Sequence, residues 1–143
     1  MYEYLNPHDT LLDIGIGTGR SSFLFQKAGL KIYGVDGSAE MLKICRKKGI
    51  GCHLIESDFL NKGIPIHDIT FNHIISNAVF HLIWNIDEIF GEVYRLLISE
   101  GIFGFTLDEK INSDPAYQKT KIKGIYESTI QSTGITTYMY DHR

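Results

Sequence analysis

Three glycines at alternate positions and two carboxylates hold most of the chemistry in this 143-residue sequence. The glycines are Gly15, Gly17 and Gly19 in LLDIGIGTGRSS; the carboxylates are Asp36, which ends KIYGVD, and Asp58 in ESDF. A glycine loop placed behind an apolar strand and ahead of a helix brings a ligand against the main chain at the positive helix end. In such a loop Gly15 allows the tight turn, Gly17 lets the ligand touch the backbone, and Gly19 lets helix and strand pack closely. A carboxylate at the end of the next strand, here Asp36, can accept both hydroxyls of an adenosine ribose. Asp58 can accept from an adenine exocyclic amine, with Phe59 beside the ring.

Spacing narrows the ligand. A dinucleotide fingerprint sets its glycines at relative positions 1, 3 and 6, which would fall on 15, 17 and 20. Position 20 is Arg20, and the third glycine arrives one residue early. This disfavours a nicotinamide-linked dehydrogenase. Each piece alone has a plainer reading: a glycine loop can be only a turn, and an aspartate after a strand can be only a helix cap. Their order and spacing together favour a ligand crevice at the carboxyl edge of a sheet.

Strands and helices must alternate to build such a crevice. TLLDIG (10–15), KIYGVD (31–36), CHLIES (52–57), ITFNHIIS (69–76) and GIFGFTL (101–107) read as five strands. Near-continuous apolar strands separated by helices predict an α/β, doubly wound, mostly parallel sheet with helices on both faces. The first helix is expected from about Arg20 to Ala28, with Phe23 and Leu24 inward and Gly29 as its stop. The second follows Ser38 as N-cap, with Glu40 in its first turn and Met41, Leu42 and Cys45 as its apolar stripe, and ends at Gly49. The third starts with capping-box spacing at Asn85 and Glu88 and carries Ile89, Phe90, Val93, Leu96 and Leu97 inward. Residues 58–68 contain Gly63 and Pro65, which leaves room for little more than one helical turn. After Leu107 a polar loop precedes two segments, 122–129 and 135–140, that read as a hairpin turning at Ser132, Thr133 and Gly134.

Bulk properties fit one domain, 1–143, with its core at about 8–108 and an extension over 109–143. Hydrophobic residues make up 43% and charged residues 22%, with a net charge of −3, which gives no support to general nucleic-acid or anionic-membrane binding. No apolar run is long enough to span a membrane, and MYEYLNPHD lacks the pattern of a signal peptide, so the cytoplasm is the expected compartment. Cys45 and Cys52 lack the spacing of a metal site and read as small buried residues in a reducing compartment; no metal is expected.

LDIGIGTGR, GVDGSAEML, ESDF, ITFNHIISNAVFHLI and LLISEGIFGF, in that order, resemble the successive motifs of class I S-adenosylmethionine-dependent methyltransferases. The resemblance implies a sheet of order 3-2-1-4-5-7-6 with the last strand antiparallel. It places Asp13, Gly15, Gly17, Thr18 and Gly19 in the loop on the methionine side, with Arg20 near the cofactor carboxylate. Asp36 would hold the ribose, with Gly37, Ser38 and Met41 around the adenosine. Ser57, Asp58 and Phe59 would match the adenine contact, and Asn77 would lie near the sulfonium.

The departures bear on the acceptor. Phe71-Asn72 stands where related sequences often carry Phe-Asp, a position read as structural. SNAV (76–79) replaces the Asn/Asp-Pro-Pro-Tyr motif of amino-group nucleic-acid methyltransferases, which points away from nucleic acid and toward a small-molecule methyl acceptor. The further helix and two strands that complete the family's sheet would have to come from 109–143, so the C-terminal strands are expected to be incomplete or replaced by the hairpin. The apolar fifth strand would then expose an edge, which favours a homodimer through the C-terminal region.

Methyl transfer from a sulfonium relies on holding nucleophile, methyl carbon and sulfur in line, and needs a base only for a protonated nucleophile. His81 is the candidate base, with a packed or capping histidine as the plainer reading. His67 and His73 carry no ligand spacing. Trp84 and Tyr94 could face a substrate, but an amphipathic helix beside a sheet would bury such residues anyway. S-adenosyl-L-methionine, giving S-adenosyl-L-homocysteine, is the implied cofactor. The alternative from another class is a cofactor-binding module or subunit with no activity of its own.

Overall fold

The computed structural model describes residues 5–83, 85–107, 118–119 and 125–140. Five parallel strands form its main sheet: β1 (Thr10–Ile14), β2 (Lys31–Asp36), β3 (His53–Glu56), β4 (Phe71–Ser76) and β5 (Leu97–Phe105), in the order β3-β2-β1-β4-β5. The helices between them are α1 (Ser22–Lys27), α2 (Ala39–Lys47), α3 (Phe59–Lys62) and α4 (Ile86–Leu96), with a 3-10 turn at Phe80–Leu82.

Side chains alternate across the sheet, and both faces are covered. Leu11, Ile32 and Ile75 point to one side, where Leu42 and Cys45 of α2 and Phe25 of α1 meet them. Leu12, Ile14, Tyr33, Val35 and Ile74 point to the other, against Phe59, Phe80, Ile89, Val93 and Leu96. Burying each such large side chain contributes roughly 1.5–3 kcal/mol. This is the expected doubly wound architecture.

Local chemistry explains the helix ends. The Ser38 hydroxyl accepts from Met41 N at 3.3 Å, opening α2, and Arg46 and Lys47 occupy its last turn. The Asn85 side chain caps α4 through Asp87 N, one residue earlier than the capping-box spacing suggested. The crossover before β4 holds only the four residues of α3, as Gly63 and Pro65 required. Asn72 is structural: its Oδ1 accepts from both Thr10 N and Thr10 Oγ1 at 2.9 Å, tying the starts of β4 and β1 together. His73, buried in β4, bonds through Nε2 to Asp9 at 2.9 Å. Burial works upward on the Asp9 carboxyl, but the hydrogen bonds from His73 and Asn6 outweigh it and hold the group below its usual range.

Several expectations fail. Phe23 and Leu24 are exposed, and α1 instead turns Ser22 inward, because the Ser22 hydroxyl donates to the buried Asp13 carboxylate at 2.6 Å. Met41 leaves the α2 stripe and is half exposed. Cys52 is exposed, while Cys45 is buried as expected. Tyr94 is 88% exposed rather than packed on the sheet. The fifth strand begins at Leu97, directly from α4: Leu97 pairs with Phe71 and Ile102 with His73, so the intervening residues bulge. Gly101 sits in that bulge, where a Cβ would lie 2.6 Å from Leu97 and 3.0 Å from the Asn72 carbonyl.

A hairpin does form, from β7 (Ile125–Ile130) and β8 (Ile135–Tyr140), with β6 (Gln118–Lys119) beside β7. Gly134, at φ +70°, serves the turn, and Thr129 and Thr136 pair across the strands at 2.8 Å. These strands make a second, antiparallel sheet rather than extending the first, and β8 lies against the Phe80–Leu82 turn.

Candidate functional site

The loop after β1 is pinned from inside. Gly15 N and Ile16 N both donate to the Val35 carbonyl, at 2.8 and 3.1 Å, and Gly19 N donates to the Ile16 carbonyl at 2.9 Å. Ile16 is buried over Gly34 of β2, where any Cβ would come within 2.5 Å of it. The two glycines that frame the turn are both in the left-handed region, and each faces a different neighbour. A Cβ on Gly15 would overlap Val79, beyond β4. One on Gly19 would meet Ile50 and Cys45 at 2.8–2.9 Å, so its close approach is to α2 and to Ile50 three residues beyond it, rather than the packing of helix on strand that the sequence suggested.

Asp36 closes the loop from the neighbouring strand. Its Oδ2 accepts from Gly17 N at 2.8 Å and its Oδ1 from Ser38 N at 2.9 Å. A carboxylate has further lone pairs, so acceptor capacity remains for a ligand's hydroxyls. Lys48 Nζ donates to the Thr18 carbonyl at 3.3 Å. Beneath the loop lies Asp13, only 1% exposed. Burial pushes its carboxyl up to about 7, the hydrogen bond from Ser22 works the other way, and the Asp36 charge adds to the rise.

A cavity of about 340 Å³ opens at the carboxyl edge of the sheet. The sequence-selected residues Gly15, Gly17, Asp36, Gly37, Ser38, Met41, Ser57, Asp58 and Phe59 all line it, drawn from the ends of β1, β2 and β3. Asp58 also receives the Asn61 side-chain amide at 3.0 Å. Asp13, Thr18, Gly19, Arg20 and Asn77 are not among the lining residues. Arg20 is exposed, and Asn77 bonds to Ser21 and Thr106. His81 sits on the Phe80–Leu82 turn, beside the lining residue Leu82, and does not itself line the cavity.

Sequence reasoning missed Leu60, Ala78, Val79 and Leu82, which supply much of the apolar wall. Their signal was position: Leu60 follows the end of β3 and AVFHL (78–82) the end of β4, and residues just past a strand's carboxyl end can border the crevice.

Residues 12–105 match the family model described as a methyltransferase domain. An uncharacterized methyltransferase of Oceanobacillus iheyensis is 29% identical over 108 residues, covering 73% of this chain and 50% of that protein. A probable S-adenosylmethionine-dependent methyltransferase of Saccharomyces cerevisiae is 31% identical over 104 residues, covering 67% of this chain and 34% of that one. This chain thus spans half the length, or less, of these curated relatives. Among solved structures, an S-adenosylmethionine-dependent methyltransferase from Mesorhizobium loti shares the fold, with a TM-score of 0.79 at 20% identity, over 95% of this chain and 69% of that one. The match across residues 12–105, carried on a sheet of order β3-β2-β1-β4-β5, shows that this chain belongs to the class I S-adenosylmethionine-dependent methyltransferases.

Proposed function

We propose that this chain binds S-adenosylmethionine in the crevice at the ends of β1, β2 and β3 and passes its methyl group to a small-molecule acceptor by in-line displacement. The observation that carries the reading is the cavity itself: its lining combines the polar Asp36, Ser38, Ser57 and Asp58 with the apolar Met41, Phe59, Val79 and Leu82. That combination suits a nucleoside, with polar groups for the ribose hydroxyls and the adenine edge and apolar side chains for the face of the ring. The loop amides support a nucleoside without a phosphate there, because those of Gly15, Ile16, Gly17 and Gly19 are already hydrogen-bonded within the protein. A dinucleotide's pyrophosphate would need such amides free.

The cofactor supplies a methyl group on a positively charged sulfur, already activated for displacement. The residues of this chain bind and orient. Asp36 would hold the ribose hydroxyls while it keeps the loop closed through Gly17 N and Ser38 N. Asp58 would take the adenine amine, with Phe59 beside the ring and Gly17 leaving the main chain bare. Asp13 and Ser22 fix the loop from below; Thr18, Gly19, Arg20 and Asn77, outside the cavity's own lining, would lie toward the arm of the ligand. His81 is the candidate proton acceptor for an acceptor that arrives protonated.

The wider setting belongs to the same reading. The chain acts as one domain, 1–143, in the cytoplasm; among the described residues no helix is long and apolar enough to cross a membrane, and Cys45 and Cys52 are free thiols. The net charge of −3 supports a small acceptor rather than nucleic acid. Exposed Ile98 and Phe105 on β5 support pairing of two copies.

Calorimetry with S-adenosylmethionine, S-adenosylhomocysteine and NAD tests the binding half, and release of S-adenosylhomocysteine across a panel of small acceptors tests the catalytic half. Binding of the first two alone, with turnover, is expected. Binding without turnover on any acceptor would turn the assignment to a cofactor-binding subunit, and preference for NAD would overturn it.

A further inference from the structure

Ala78 stands at φ +56°, one of three non-glycine residues with positive φ among those described, and of the three it alone lines the cavity. Alanine has no polar side chain to stabilise that conformation locally, so something else must hold it. The partner is Thr106, at the end of the neighbouring strand β5. Ala78 N donates to Thr106 Oγ1 at 2.8 Å, and Thr106 N donates to the Ser76 carbonyl at 3.1 Å.

The polarity of the chain of bonds runs one way. An amide can only donate, so Thr106 Oγ1 accepts from Ala78 and its own proton goes to Asn77 Oδ1 at 3.0 Å. That fixes the Asn77 amide with Nδ2 toward Ser21 Oγ, at 2.9 Å. Ser21 adjoins α1 at the end of the glycine loop, so three crossover points along the sheet's carboxyl edge are joined through one hydroxyl. The consequence falls on Val79: with Ala78 turned left-handed, Val79 packs directly on Gly15, and both residues face the cavity.

We infer that Thr106 is a positioning residue for the cofactor crevice, holding the 77–79 segment in the strained conformation that sets Val79 against Gly15. The inference rests on the reading that this crevice binds S-adenosylmethionine. The strain in a left-handed alanine and the net worth of one hydrogen bond are of the same order, so the hydroxyl decides which conformation the segment adopts. Thr106 is exposed, so its removal leaves the core untouched.

The test is calorimetric titration of the whole chain with S-adenosylhomocysteine, with a thermal melt of each variant. Thr106→Val should weaken binding about tenfold while Thr106→Ser, which keeps the hydroxyl, stays within twofold. In an Ala78→Gly background, where the left-handed conformation carries no penalty, the loss on Thr106→Val should shrink; a double-mutant cycle reads this directly. Equal affinity in Thr106→Val, an equal loss in Thr106→Ser, or an undiminished loss in the glycine background would each overturn the inference. Unfolding of both Thr106→Val and Thr106→Ala would do so too, by making the hydroxyl a requirement of the fold. A wild-type chain that binds no S-adenosylhomocysteine overturns the cofactor reading itself, and is seen before any variant is made.

Discussion

Asp36 meets two demands with one carboxylate. It accepts from the amides of Gly17 and Ser38, which closes the glycine loop onto β2, and it faces the cavity where a ribose would lie. Asp36→Ala removes both functions, and S-adenosylhomocysteine affinity should fall by ~1.5–3 kcal/mol, the range for losing a charged hydrogen-bond partner. Unchanged affinity by calorimetry would show that the ribose lies elsewhere. Asp13 makes the opposite case, a carboxyl that the fold disfavours in its charged form. Its pKa rises from 3.8 to about 7 on folding, chiefly through burial. Between those values the folded chain keeps a proton that the unfolded chain has released, so this group's contribution to stability falls as pH rises through that window and levels off above it. Asp13→Asn keeps an oxygen for the Ser22 hydroxyl and cannot ionise. The variant should therefore gain in melting temperature over the wild type at pH 8 relative to pH 5; an equal difference at both pH values would rule out a titrating Asp13. At this scale the sequence was most legible where one residue type answers one geometric need. Gly15, Gly17 and Asp36 could be read from spacing alone, whereas Val79 and Leu82 are ordinary apolar residues whose role depends on where the strand before them ends.

Elements were legible in proportion to their independence from their neighbours. β2 emerged with its expected bounds because KIYGVD is an apolar run between two turns, and α2 because Ser38 and Gly49 mark its ends. α1 did not. With only six residues it has too little length for an apolar stripe to set its orientation, and the contact that does set it, Ser22 to Asp13, is polar and spans two elements. The start of β5 was hidden for a related reason: Leu97 continues the helical period of α4, yet pairs with Phe71 across the sheet. The glycine loop is the element whose role can be tested most directly. Gly17 has φ +56°, and a Cβ there would stand 3.5 Å from Met41 Sδ, on the cavity wall. A valine would be strained in the backbone and would occupy ligand space, so Gly17→Val should lose S-adenosylhomocysteine binding while the chain still melts cooperatively. A variant that binds and melts like the wild type would mean that the loop does not touch the ligand.

At the scale of the whole molecule, the question is what the C-terminal strands do for the sheet they do not join. β4 pairs with one side of β5; no described strand pairs with the other, and Ile98 and Phe105 on β5 are exposed. The sequence suggested two ways to satisfy this edge, a hairpin packed over or beside the sheet and pairing of two chains. The hairpin is present, and β8 lies against the Phe80–Leu82 turn, whose Leu82 forms part of the cavity wall. Its placement follows from packing between distant segments, which apolar alternation in 125–140 could not encode. Shortening the chain to end at Lys110 would uncover the turn and leave the β5 edge without the hairpin's bulk. Backbone groups and aromatic side chains along that edge, Phe103 and Phe105 stacked at 5.0 Å among them, would then face other copies with less of the molecule between them. The shortened chain should scatter light as larger assemblies at micromolar concentration and bind S-adenosylhomocysteine more weakly, whereas the full chain should scatter as a dimer. A shortened chain that stays monomeric and soluble with full affinity would show that the hairpin neither shields the edge nor supports the cavity wall.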